Sequence, residues 1–368
     1  VRYYILAGEA SGDVYAAMLV REIRHQDPAA IFRVWGGPAL EGEGLKPARS
    51  LSQLAFMGFA EVVKHLPQIW DNARFFKKDV LDFGPDAVIL IDYPGFNLRA
   101  AAYTHRHHLL NFYYISPQLW AWKGSRIQSV RSFIDCMVVI FPFEVAYYRD
   151  RGIAVNYYGH PLANKIQKYR LDHPRLSPHR GILALLPGSR DQEIKRHLPV
   201  FIELAHLLPQ EEFVLAGLSS CKKIYSTHLI PQNVRIIYDD VYRVLNMARA
   251  AFVCSGTATL ETALFQIPQA IVYKSSALSY FLGKKLVKLS AIGMPNLIAG
   301  KKFLPEFIQA DAQARNLCNW LLSLDTNENI RSEIEGEYRK LFKILYNEHS
   351  IKNAVREMIC HIELSNRK

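Results

Sequence analysis

With 368 residues, half of them hydrophobic and 21% charged, the chain has a globular composition and the length for two domains of roughly 150–200 residues. Its five cysteines are scattered, without a C-x-x-C pair, which argues against a disulfide framework or a structural zinc site. The formal net charge of +11 is concentrated beyond residue 164 and suits an anionic ligand or an anionic membrane surface. No finger, recognition-helix or RNP-like pattern accompanies it, so nucleic acid is not an expected partner.

The chain opens on a strand-like run, Val1 to Ala7, with no basic and apolar leader, so no signal peptide is expected. The longest apolar runs, such as Cys136–Phe143, fall well short of the roughly 20 residues that span a bilayer. Val14–Arg24 then reads as amphipathic helix, Ile31–Trp35 as strand, Ile69–Phe83 as helix, Ala87–Ile91 and Asn111–Ile115 as strands. Met137–Phe141 is a further strand and Glu144–Asp150 a helix. Residues 162–180 lose apolar periodicity and gain proline and charge, and the pattern restarts with strand Ile182–Leu186, helix Val200–Leu208 and strand Phe213–Ala216. Val234–Tyr238, Ala251–Cys254 and Ala270–Tyr273 continue it, and 328–363 is helical and charged. Such alternation predicts parallel strands joined by crossover helices. The expected architecture is α/β, with two Rossmann-like doubly wound parallel-sheet domains facing a central cleft. The first covers 1–164, a linker 165–180, the second 181–340, and a helical tail 341–368 is placed to pack back on the first.

Five turns carry candidate chemistry. Gly8, Glu9, Ser11, Gly12 and Asp13 lie between the first strand and the first helix, where open backbone N–H groups favour an anion. Their G-x-x-x-G spacing is not the G-x-G-x-x-G of a dinucleotide site. Asp92 ends a strand, where it can serve as a general base or as a turn residue before Pro94. Ser116 and Trp120 follow another strand, with Trp120 and Trp122 suited to stacking a sugar or to packing. In the second half Arg190, with Glu193 starting the next helix, can clamp a phosphate. Ser255, Gly256 and Thr257 form an anion cradle, and Glu261 one turn later can accept from ribose hydroxyls. Residues 56–78, and 274–302 with its cluster of lysines, mix aromatics with cations as an interfacial helix does, or as a core helix with a solvated basic face does. No D-x-D triplet and no H-E-x-x-H occurs, so no metal and no cofactor is expected.

AGEASGD (7–13), LAFMGFAEV (54–62), IDYPGFN (91–97), YISPQLWAW (114–122), FPFE (141–144), GHP (159–161), LPGSR (186–190), SGTATLE (255–261) and MPNLIAG (294–300) together resemble the lipid-A-disaccharide synthase family, in family order. The resemblance implies the glycosyltransferase-B fold and transfer of a sugar from UDP-2,3-diacylglucosamine to the 6-hydroxyl of 2,3-diacylglucosamine 1-phosphate. The product is a β-1,6 disaccharide, formed with inversion. It implies Asp92 as base, with Glu9 as a second catalytic group and Met57 beside it on the acceptor side. Arg190, Ser255, Gly256, Thr257 and Glu261 would hold UDP, with Asn296 near the diphosphate. It further implies a Gram-negative bacterial, cytoplasmic enzyme on the inner face of the inner membrane, with 56–78 the stronger membrane contact. A homo-oligomer is compatible with the sequence, which leaves the state open. Rival readings are another UDP-sugar enzyme of this fold, a lipid-acceptor transferase or an epimerase, and a non-enzymatic amphitropic anion-binding protein.

Overall fold

A computed structural model describes residues 1–54, 66–120, 124–175, 181–275 and 291–365. The chain divides into two compact units, Val1–Pro161 with Asn347–Lys368, and Leu162–Tyr346.

In the first unit the strands are β1 (Arg2–Ala7), β2 (Ile31–Gly36), β3 (Arg49–Ser50), β4 (Ala87–Ile91), β5 (Leu110–Tyr114), β6 (Cys136–Val139) and β7 (Asn156–Tyr157). They form one sheet in the order β3-β2-β1-β4-β5-β6-β7, with every pairing parallel. The second unit holds β8 (Ile182–Leu186), β9 (Phe213–Gly217), β10 (Val234–Tyr238), β11 (Ala248–Cys254), β12 (Gln269–Tyr273) and β13 (Glu306–Ile308). Its sheet runs β10-β9-β8-β11-β12-β13, again all parallel.

Apolar sequence explains the centres of both sheets. AVILI of β4 and ILALL of β8 are buried along their whole length, as strands covered on both faces by helices must be. In the first unit Leu6, Leu90, Tyr113 and Met137 share a core with Trp35 and Phe76. In the second, Leu185, Leu215 and Phe252 pack with Leu198, Phe201 and Trp320 from the covering helices. Each sheet reverses its strand order at one place, between β1 and β4 and between β8 and β11. Crevices at the carboxyl ends of such pairs are where open α/β sheets bind ligands.

Several boundaries differ from the sequence reading. The segment expected to begin the linker is helical, Pro161–Asp172, and buries Leu162, Ala163 and Ile166 under its polar face. The helix expected to start at Glu193 and the one expected over Val200–Leu208 are a single helix, Asp191–Leu207, with Pro199 inside it. Core residues Ile194, Leu198 and Phe201 hold both sides of the proline in place. The 341–368 tail is not one body. Helix Glu328–Leu345 belongs to the second unit, whereas helix Ser350–Ser365 packs against helix Ala10–Gln26 of the first. Strands β3, β7 and β13 are edge strands of two or three residues, too short to show a period.

Candidate active site

The switch point of the first unit assembles from the turns after β1 and β4. Ala7 pairs with Ile91, so Glu9 and Asp92 leave neighbouring strands side by side. Gly8 is there because a Cβ would fall 2.3 Å from the Tyr93 ring. Asp92 and Tyr93 both take the left-handed conformation, each with φ of 46°. Two consecutive non-glycine residues in that region cost about 1–3 kcal/mol each and persist only where the surroundings enforce them. The enforcement is visible. Tyr113 Oη and Asn97 Nδ2 donate to the Asp92 carbonyl at 2.6 and 2.8 Å, and the Asp92 N–H donates to Tyr114 O at 3.2 Å.

The strain holds the Asp92 carboxylate in a partly buried position. Desolvation pushes its pKa up to about 7, and the neighbouring negative charge of Glu9 adds to the shift, with Glu144 a lesser cause. The Tyr93 N–H opposes it. A carboxylate tuned to near neutral, at a strained turn on a switch point, has the properties of a general base.

Glu144, present in the sequence as part of FPFE but given no role, organises the wall of this site. It is buried and accepts from Ser116 Oγ at 2.5 Å, Trp120 Nε1 at 3.1 Å and the N–H groups of Phe141 and Ile140 at 3.0 and 3.3 Å. Burial raises it to about 7 against the pull of those donors. Ser116 and Trp120, expected to touch substrate, therefore have their polar atoms committed to Glu144. His160, from the GHP segment, is buried against Tyr15 and Phe141 and is driven down to about 3, so it is neutral. Asp13 is also placed differently from the expectation. Its buried carboxylate caps helix Pro38–Gly42, accepting from Gly37 and Ala39 N–H at 2.8 Å, because an anion at a helix start satisfies groups with no partner of their own. Ser11 is exposed and Gly12 buried in the first turn, whose cap position, Glu9, makes no side-chain capping bond. Met57 lies outside the described residues, as does Trp122.

In the second unit a cavity of about 490 Å³ lies at the β8/β11 switch point. Arg190, Glu193, Ser255, Gly256, Thr257 and Glu261 are among its lining. The two turns expected to bind phosphate behave differently. After β8, the Glu193 carboxylate already accepts from Ser189 and Arg190 N–H at 2.9 and 3.3 Å, and pairs with Arg190 Nη1 at 3.0 Å. That turn is satisfied from within. After β11, Gly256 has φ of 149°, a conformation side chains rarely adopt, and no side chain caps helix Thr257–Leu264. Gly256, Thr257 and Ala258, at the start of this helix, line the cavity, and a helix start favours an anion. Ser255 is half committed, with Oγ donating to Ile292 O at 2.9 Å. Glu261 is raised by burial, tempered by Lys165 and a hydrogen bond from Tyr242, both unremarked in the sequence.

Asn296 is not at the cavity. Buried, it donates to Leu304 O and Glu306 Oε1 at 2.9 Å and accepts from Leu304 and Phe303 N–H at 3.0 and 3.1 Å. With all four valences used, it shapes the 296–306 segment. His197, a second histidine missed in the sequence, bridges two loops. Its Nδ1 lies 3.0 Å from Pro187 O, and Lys274 N–H donates to Nε2 at 2.9 Å, which requires the neutral ring that burial favours.

Residues 3–360 match the family described as Lipid-A-disaccharide synthetase. The chain belongs to that family. A lipid-A-disaccharide synthase of Geobacter sulfurreducens is 38% identical over 325 residues, covering 85% of each chain. That of Nitrosococcus oceani is 36% identical over 348 residues, 91% of this chain and 89% of its own. That of Coxiella burnetii is 33% identical over 367 residues, 96% of each. Solved structures agree on the fold. An S. aureus MnaA–UDP co-structure has a TM-score of 0.66 at 13% identity, over all of this chain and 97% of the other. A glycotransferase of kitacinnamycin has 0.65 at 12%, over 98% of each. Membership makes the chain a glycosyltransferase of lipid A biosynthesis, with a UDP-sugar donor and a lipid acceptor. Among the described residues, no helix is long and apolar enough to cross a membrane.

Proposed function

We propose that the chain transfers 2,3-diacylglucosamine from UDP-2,3-diacylglucosamine to the 6-hydroxyl of 2,3-diacylglucosamine 1-phosphate, with inversion, giving a β-1,6 disaccharide 1-phosphate and UDP. The observation that carries this reading is Asp92, a carboxylate raised to about 7 on a strained turn in a member of this family. As base, Asp92 takes the 6-hydroxyl proton while the oxygen attacks the anomeric carbon, and UDP leaves from the opposite face. Glu9 acts through Asp92 by keeping its proton affinity high. In the second unit, the N–H groups after Gly256 take the diphosphate and Glu261 takes ribose hydroxyls, while Arg190, paired with Glu193 through an exposed side chain, exchanges that partner for the leaving group. Arginine and a helix start provide this stabilisation without a metal.

The enzyme works on acyl chains, so it meets a bilayer. Trp70, 74% exposed on helix Leu66–Phe83 beside Arg74 and Lys77, supports contact through this part of residues 56–78, at the inner face of the inner membrane. The test is UDP release from UDP-2,3-diacylglucosamine with and without the 1-phosphate acceptor, in EDTA. Acceptor-dependent release with disaccharide product supports the reading and its metal independence. Turnover without acceptor would favour an epimerase, and no turnover would refute the assigned pair.

A further inference from the structure

The amino end of the first unit's sheet, away from the carboxyl ends where Asp92 sits, carries a cluster that the reaction does not use. Cys136 opens β6, and helix Ser350–Ser365 lays Glu357 and His361, one turn apart, against it. One ligating atom from each, a sulfur, an oxygen and a nitrogen, lies within 4.8 Å of the other two. Cys136 is buried, whereas the Glu357 and His361 side chains are 31% and 36% exposed, so the cluster is closed towards the sheet and open to water from the helix side.

The three groups are also held by others. Tyr158 Oη donates to Glu357 Oε2 at 3.0 Å. Asn156 Nδ2 points at Cys136 Sγ from 4.0 Å. His361 Nδ1 lies 3.0 Å from the Glu357 carbonyl oxygen, and the Phe112 ring meets the imidazole edge-on. Partners of this kind orient ligands around metals.

We propose that Cys136, Glu357 and His361 form a zinc site that fastens the C-terminal helix to β6, with water as the fourth ligand. The donor set selects the metal. A thiolate with an imidazole and one carboxylate suits borderline Zn²⁺, whereas Mg²⁺ and Ca²⁺ require oxygen ligands throughout. Tetrahedral zinc with bonds of about 2.0–2.3 Å sets its ligand atoms about 3.3–3.8 Å apart. Glu357 Oε1 and His361 Nδ1 are already 3.5 Å apart, and no pair in the cluster has more than about 1.5 Å to close. Side-chain torsions of Glu357 and His361 supply that. Binding displaces the thiol proton to solvent and takes the imidazole neutral. In the sequence the site is one E-x-x-x-H pair on a helix and a cysteine from the other end of the unit, a spacing no local motif contains.

The experiment strips the purified chain with a chelator and titrates it with Zn²⁺ and with Co²⁺. The expected result is one equivalent bound, a higher Tm, and a thiolate-to-cobalt charge-transfer band in the near ultraviolet. Cys136→Ser abolishes the band, and His361→Ala weakens Zn²⁺ by more than about 100-fold, beyond the about 10- to 100-fold expected of the outer-shell Tyr158→Phe. Cys360→Ala, at an exposed cysteine of the same helix, changes nothing. No band, a band that survives Cys136→Ser or vanishes with Cys360→Ala, or Zn²⁺ affinity unchanged in His361→Ala would each overturn the proposal. Since His361 is partly exposed, that variant tests the site without emptying the core.

Discussion

Replacing Asp92 by Asn separates a catalytic role from a structural one, because the two predict opposite signs for stability. A general base contributes about 10²–10⁴-fold, so turnover should fall by that factor. This equals about 3–5 kcal/mol of the barrier. Stability should not fall. A carboxyl raised from 3.8 to about 7 stabilises the fold at low pH, and that contribution disappears as pH rises through about 7. Above pH 7 the anion costs at most about 4 kcal/mol by linkage, and partial exposure screens this to about 1–2 kcal/mol. The asparagine amide carries no charge and tolerates the left-handed backbone, and the bonds from Tyr113 and Asn97 go to the main chain, so they survive. The assay is acceptor-dependent UDP release, followed from pH 5.5 to 9, beside a thermal melt at pH 8. Wild-type kcat/KM should rise tenfold per pH unit below about 7 and level off above it. The variant should be slow and lose that slope, with Tm equal or higher. Turnover within about tenfold of wild type would refute the base assignment. Lost turnover accompanied by a lower Tm would make Asp92 a structural residue.

Asn296→Ala should destabilise the second unit by about 2–4 kcal/mol in urea, because it strands buried partners at Phe303, Leu304 and Glu306. UDP affinity well below the unfolding transition should stay within about twofold; a large loss of affinity with unchanged stability would restore the diphosphate role. His160 is held neutral near 3 and titrates at 6.5 when unfolded, so its contribution is complete above 6.5 and is lost as pH falls. Between pH 8 and 5.5 the wild type should lose about 1.4 kcal/mol relative to His160→Asn, and parallel denaturation curves would contradict this. Trp70→Ala should lower partition onto anionic vesicles about tenfold in sedimentation, as expected for removing a large apolar side chain from an interface. Unchanged partition would take helix Leu66–Phe83 out of the membrane contact.

The sheets were legible in the sequence because a parallel strand covered on both faces must be a short apolar run, as AVILI and ILALL are. The turns at the switch points were legible too. Glycine and an acid after such a run mark a turn, and Asp92, Glu9, Gly256 and Glu261 lie at the switch points, although the same residue types also serve as caps, as Asp13 does. What tertiary structure decided is the use of each polar group. Asp13, Ser116, Asn296 and Arg190 all sit in segments that resemble ligand loops, and only packing shows that a helix start, Glu144, the Phe303 and Leu304 backbone with the Glu306 carboxylate, and Glu193 engage them. Glu144, His160 and His197 were missed for the same reason, since burial and partners, not residue type, make them acceptors or neutral rings. Local sequence records propensity and period, which act over a few residues. Desolvation and hydrogen-bond pairing depend on groups tens or hundreds of positions away, as where Gln26 Nε2 donates to Lys352 O across 326 positions.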